Sequence, residues 1–529
     1  MTQSARSNIH TVTRNDPPFL FHRGEGFNRH RLPPGTKVIY PNAPLPGLPD
    51  RRGAIEHAID NPLGTEPLSA LLRPGMKVTI ALDDVSLPLP RMAAPDVRQS
   101  VIEILLERLE KAGISDIHLI VAICLHRRTT PAEMKHFVGA EIFRKFYPDR
   151  YYNHDAEDPQ GSAYLGKTES GEEVEINRRA AESDLIIYVN INLVTMDGGH
   201  KSVPIGLATY RSVRHHHNAH TMLHDSSYMD PPRSDFHRSC ERMGDVVAKH
   251  AKIFTIETTL NGDTFHSLLG YLMKREHDWG ILDRLAYHGG RLGLSALPGP
   301  LRRKAYNALP APYGLTGVHA GRTDEVHPRT LANVDRQQEV TVHGQADIVL
   351  MGLPSIGPYN VNSILNPILV QCLSTGYFFN FYREKPLVRR GGVLIVDHPL
   401  ENKFNLLHHP SYFDFFNDLL PQTRNPKELE HRFEKSYAEN ERYRELYRKS
   451  YAYHGVHPFY MWYWGAHGMA HCGKVIVINP KSTEAARMIG FDIAPNIGAA
   501  LDLARQFLNN TDPSMYYYHC PPLIMCRVI

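Results

Sequence analysis

The 529-residue chain has no C-x-x-C pair and no zinc-ribbon spacing; its six cysteines, Cys124, Cys240, Cys372, Cys472, Cys520 and Cys526, are scattered. That argues against a thiolate metal site or a disulfide scaffold and reads as reduced thiols. No run reaches the roughly 18 apolar residues that a membrane span needs. Met1 to Gly26 lacks the apolar core of a signal peptide, so a cytoplasmic protein without a membrane partner is expected. Net charge is also scarce, +3 in all, which gives no reason to invoke nucleic acid.

What is present is histidine, 31 residues of it, within a chain that is 42% hydrophobic and 22% charged. Such a length exceeds one ordinary core and points to two large domains. Residues 1–45, rich in Pro, Arg and Asn, read as an irregular surface arm. Short apolar runs at Lys77–Leu82, Asp116–Ile123 and Leu185–Val189, with an amphipathic helix over Val97–Ala112, read as β-α-β structure. The same grammar restarts at Ala346–Gly352, Gly392–Val396 and Lys474–Ile478. The expected fold is therefore α/β, two domains with mostly parallel sheets, over residues 46–290 and 341–529, joined by a linker at 291–340. Ligands in such folds sit beyond the carboxyl ends of the strands, so Asp83-Asp84, His126, Asn192–Lys201 and Pro354–Asn360 are expected to meet at an inter-domain cleft.

The densest chemistry lies in Asp197-Gly198-Gly199-His200-Lys201, followed sixteen residues after Lys201 by His217 in a run of three histidines. Glycines admit close backbone approach, and an amine kept neutral can form a covalent bond. The plain alternative is a surface turn with a solvated lysine. A second alternative is metal binding by His216, His220 and His224, which recur every four residues and would share one face of a helix. That reading suits a metal-dependent hydrolase or lyase. The aromatic segment Phe459–Met469 reads as core or an oligomer contact, less so as a pocket wall, and Phe413–Arg448 as solvated helix.

Four segments in order, Asp83-Asp84-Val85-Ser86-Leu87-Pro88, Leu125-His126-Arg127, Asn153-His154-Asp155 and the Lys201 to His217 stretch, resemble the nickel-pincer lactate racemase family. The likeness is strong over about residues 75 to 225. It implies a racemase or epimerase, an isomerase acting on a 2-hydroxy acid or related secondary alcohol by reversible hydride transfer. The implied cofactor is a nickel-pincer nucleotide, pyridinium-3-thioamide-5-thiocarboxylic acid mononucleotide with Ni(II), made by separate cofactor-biosynthesis proteins. By position Lys201 resembles the tether, His217 the nickel ligand and His126 an acid-base residue, with Asp84 orienting that imidazole or helping to hold the ligand. His154 reads either as a buried group that satisfies the backbone or, by the resemblance, as a cofactor-orienting element. Tyr210, Arg211, Ser212 and Arg214, between the tether and the nickel ligand, carry the hydroxyls and arginines that a cofactor phosphate would need, or form an ordinary surface helix.

The departures fall on substrate handling. Leu87 stands where the family pattern has an arginine, and Ile191 or Asn192 where a second acid-base histidine is expected. In the second half Asn360 is retained, while Asn366 replaces a lysine. A carboxylate without a cationic partner is costly to desolvate, so the substrate is expected to be less acidic, or other cations to substitute: Arg127, Arg128, His200, His398, Arg389 or Arg390. The same losses fit a non-catalytic relative that only binds the nucleotide.

Overall fold

The structure, a computed structural model, describes residues 7–224 and 226–529. The first sheet has strands Leu315–Gly321, Ile253–Leu260, Leu185–Asn192, Lys77–Asp83, Asp116–Ala122 and Tyr151–Asn153 side by side, and only Leu315–Gly321 is antiparallel. Its strands are apolar on both faces because both faces are covered. Val78, Ile80, Leu82, Leu119 and Val121 pack with Val101, Leu105 and Leu109 of the helix Val97–Lys111. Ala81, Ile120, Ile186 and Tyr188 face Met243, Val246 and Val247 of the helix Asp235–His250. The chain runs outward from Lys77–Asp83 in one direction, then returns to Leu185–Asn192 and runs the other way, so the strand order reverses between these two neighbours.

The second sheet is built on Ala346–Pro354, Val388–Asp397 and Lys474–Ile478, all parallel. Residues expected as an irregular arm belong to it: Lys37–Ile39 pairs with Met515–Tyr518, and the hairpin Phe19–Gly24/Gly26–His30 joins Leu353 and Pro354. Phe19, Phe21, Val38 and Tyr40 fill that sheet's core. The Pro and Asn density hid short strands whose apolar residues are too few to show a period.

Residues 291–340 likewise do not form a linker. After the helices Ile281–Ala296 and Gly299–Tyr306, Leu315–Gly321 completes the first sheet and the helix Thr323–Gln338 packs over it. Phe413–Arg448 is not simply a solvated helix either. Phe415, Phe416, Tyr443 and Tyr447 are buried, and the Tyr447 hydroxyl donates to the Cys124 carbonyl (2.7 Å), clasping one half of the chain to the other. Among the described residues no helix is long and apolar enough to cross a membrane.

Candidate functional site

The reversal of strand order leaves a crevice at the carboxyl ends of Lys77–Asp83 and Leu185–Asn192, where open α/β sheets bind ligands. Asp83 spans it, accepting from the Ile191 amide (2.7 Å) and from Asn190 Nδ2 (3.3 Å). Burial pushes the Asp83 carboxyl up to about 7. Asp84 points the other way and accepts from the Ser86 amide (2.9 Å) while meeting His126 Nδ1 at 2.8 Å. Burial works to raise the Asp84 carboxyl, but the charge and hydrogen bond of His126 and the Ser86 contacts outweigh it and leave it below the usual range. His126 itself is about a quarter exposed (26%). It reaches the crevice because the strand Asp116–Ala122 ends in a tight turn at Cys124, whose φ is 49°, pinned by Cys124 N to Gly206 O (3.0 Å) and His126 N to Ile123 O (2.7 Å).

Beyond Asn192 the chain turns sharply. The Asp197 carboxylate accepts from the Leu193 and Val194 amides (both 2.9 Å), closing the loop that carries the two glycines. Gly198 and Gly199 have φ of 75° and 68°, and a Cβ on Gly198 would collide with Asn192 Oδ1 and Glu257 Oε1. The Gly199 amide donates to the buried Glu257 (2.6 Å), which is also paired with His327 (3.1 Å). Glycine is required here by conformation and by space. Lys201 follows on a single turn of 3-10 helix, its Nζ 3.8 Å from Asp197.

His217 comes after the short helix Tyr210–Val213, its amide bonded to the Val213 carbonyl (2.9 Å). Its ring lies against Phe236, Tyr460 and Trp464 at centroid distances of 5.3–5.4 Å. Burial first, then the charges of His216, His126 and Lys201, hold it well below the usual imidazole range. It is therefore neutral at physiological pH, the form that binds metals. Its Nδ1 is 2.7 Å from His216 Nδ1, which fixes the ring.

Lys201, His217, His126 and Asp84 all open on one cavity of about 210 Å³. The second half of the chain supplies its far wall through Ile356, Tyr359, Tyr377 and Trp464. The ring of Tyr359 is 5.3 Å from that of His126, and its hydroxyl bonds that of Tyr377 (2.7 Å). Trp464 places part of the aromatic segment at the wall, although its remainder is core. Tyr359 falls in the Pro354–Asn360 segment expected at the cleft, whereas Tyr377 and the buried His457, 5.3 Å from His126 between ring centroids, carry no local motif, so the sequence offers no signal for them.

Other expected residues lie elsewhere. His154 is fully buried, bonding the Ala208 carbonyl (2.9 Å) and Asn177 (3.2 Å), and burial pushes it down to about 4. Tyr210 meets Glu434 (3.2 Å) and Ser212 bonds the Glu175 backbone (2.6 and 3.1 Å), so neither faces the cavity as a phosphate contact would. Asn192 lies beneath Gly198, bonding the Thr258 carbonyl (3.3 Å). Asn366 caps the helix Pro367–Gln371 through Leu369 N (3.1 Å). Leu87 lines the cavity, and Asn360 lines an adjoining one.

Of the substitute cations only Arg127 borders either space, and it is forked onto Glu133 (3.0 and 2.7 Å). Arg128 bonds the Arg448 carbonyl (3.2 Å), Arg389 pairs with Asp347 (2.6 Å), and His398 accepts from Leu400 N (3.0 Å). The histidine helix does not form. Two four-residue helices flank a turn, His216 is buried, and His220 and His224 are exposed, so they share no face. Among the described residues, the one cluster of metal-competent groups is His10, Asp16 and His277, outside this cavity.

Residues 24–230 match the family described as the lactate racemase N-terminal domain. A lactate racemase from Lactiplantibacillus plantarum is 27% identical over 219 residues, 40% of this chain and 48% of that protein. One from Thermoanaerobacterium thermosaccharolyticum is 27% identical over 169 residues, 31% of this chain and 37% of that protein. The chain thus spans less than half the length of either relative in sequence. The structure of the lactate racemase apoprotein from T. thermosaccharolyticum superposes with a TM-score of 0.62 at 17% identity, covering 97% of this chain and all of that one, a likeness of fold. The chain is thus similar to lactate racemases, in sequence over residues 24–230, which match their N-terminal domain, and in fold over nearly its whole length.

Proposed function

We propose that the protein is an isomerase, a racemase or epimerase that inverts a secondary alcohol carbon in a 2-hydroxy acid or related compound. The observation that carries this reading is the convergence of a lysine amine, a neutral imidazole and a carboxylate-bound histidine on one cavity. The residues fit a nickel-pincer nucleotide at two points. Lys201 offers an amine within the cavity for the tether, and His217 an unprotonated nitrogen donor of the kind nickel accepts. When bound, that group supplies the hydride acceptor and donor. Tyr210 and Ser212 do not fit its phosphate, because both are committed to protein partners.

The chain's own part is to move a proton and hold the alcohol. Asp84 bonds His126 Nδ1, so in the neutral ring Nε2 is the nitrogen that takes the substrate hydroxyl proton as the C–H bond opens and then returns it. Asp84 stays ionised and stabilises the imidazolium between those events. Among the described residues the other histidine lining the cavity is His217, the implied nickel ligand, and Asn192 is bonded to the Thr258 carbonyl. Leu87, at the rim, offers no charge to a carboxylate, which favours a less acidic substrate.

The test is peptide mass spectrometry with metal analysis on protein made alongside the cofactor-biosynthesis proteins. The expected result is a nickel-bearing adduct on the peptide that contains Lys201, lost in Lys201→Ala. An unmodified Lys201 in protein that still turns over substrate would overturn the reading.

A further inference from the structure

A second space adjoins the cavity at Lys201. Leu87, Leu89, Pro90, Thr264, Ile356 and Gly357 line that cavity and also line a larger space of about 570 Å³, so these six residues are a neck of wall common to both. The larger space exists because of an unusual connection. Ile253–Leu260 and Leu315–Gly321 are antiparallel neighbours, which a loop of a few residues can join. Here the chain leaves the sheet between them, folds the helices Ile281–Ala296 and Gly299–Tyr306, and returns. That excursion roofs the space with Phe265, Leu269, Leu272, Leu294 and Tyr306.

The space is mainly apolar, and its charged lining residues are Arg91, Arg98, Arg127 and Glu133, beside the imidazoles of His136, His266 and His408. Arg98 is paired with Asp96 and Arg127 is forked onto Glu133, which leaves the exposed Arg91 at the edge. Arg127 Nε and Asn360 Oδ1 are buried without hydrogen-bond partners, one donor and one acceptor available to a ligand. Pockets of this build bind ligands through apolar surface and use sparse polar groups for orientation.

We propose that the larger space holds a bulky apolar arm of the substrate, aryl or branched alkyl, so that the enzyme prefers secondary alcohols carrying such an arm over three-carbon ones. This rests on the reading of the Lys201 cavity as the reaction site. Leu87 then has a role: at the neck an arginine would meet the arm with a charge, whereas leucine meets it with a methyl surface.

Two uncharged probes isolate the arm, 2-hydroxy-3-phenylpropanamide and lactamide. Binding to the chain without cofactor is read by saturation-transfer NMR, and turnover of the loaded enzyme by loss of optical activity. The expected result is binding of the phenyl compound at least about tenfold tighter, with kcat/KM in the same order. Gly290 borders the space, and a Cβ there would meet only the Tyr271 hydroxyl, at 3.6 Å, so Gly290→Phe fills the space without backbone strain. It should abolish the preference and leave lactamide unchanged, and Leu294→Trp should do the same if Gly290→Phe misfolds. Equal binding of the two probes, or a preference that survives both variants, would overturn the inference. Preference without a Lys201 adduct would instead sink the proposed function and leave the arm pocket standing; an adduct without preference would do the reverse.

Discussion

Asp84 and His126 lie 42 positions apart and meet because two adjacent parallel strands end at the same level. The carboxylate fixes which ring nitrogen carries the proton, and this decides whether the other can act as base. His126→Ala should lower kcat by about 100-fold or more, in the range general acid–base groups supply. Asp84→Asn should lower it by a comparable factor while leaving the Lys201 adduct intact by mass spectrometry. Loss of the adduct in either variant would assign these residues to cofactor binding instead.

At the scale of the element, the Asp197–Ser202 turn is the most constrained piece of the site. Its two glycines occupy left-handed backbone space above Asn192, Glu257 and His327, and the turn leads directly into Lys201. Gly198→Ala would combine a positive φ with a steric collision, and should cost about 2 kcal/mol or more in urea unfolding. Because the turn sets the lysine's position, the folded fraction should also form less adduct. An alanine variant of unchanged stability would show that the turn relaxes freely.

At the scale of the whole molecule, the N-terminal hairpin is clipped to the second sheet by Asp397. This fully buried carboxylate pairs with Arg23 and accepts from His30 (2.7 Å) and Asn28 (3.0 Å). Burial tends to raise its pKa, but the His30 hydrogen bond and the Arg23 and His30 charges prevail and hold it below the usual range. A carboxyl depressed in the folded state stabilises fully above its unfolded pKa of about 4, and that contribution is lost as pH falls through the folded value. Asp397→Asn should therefore cost about 3 kcal/mol near neutrality, since it leaves the half-buried Arg23 guanidinium without its carboxylate, and should flatten the acid limb of the stability profile. Thermal melts between pH 3 and 7 would read both effects, and an unchanged acid limb would remove Asp397 from the account.

The sequence by itself determined the parallel strands and the order of the motifs, because long apolar runs and glycine-bounded turns are local signals. Lys77–Asp83, Asp116–Ala122 and Lys474–Ile478 fall within a residue of their expected bounds. The placement of Lys201, His126 and Asp84 together follows from the same logic, since each closes a strand or the segment after it, while His217 is placed beside them by the family resemblance. Tertiary structure alone decided the rest. His154, Tyr210 and Ser212 are turned to buried protein partners that lie far away in sequence, and the strands within residues 9–39 join the second sheet through Leu353–Pro354 and Tyr516–Tyr518. The neck at Leu87 and the space behind it arise where three distant segments leave a gap. No local pattern encodes a gap, because it is set by how far apart the packed elements stand.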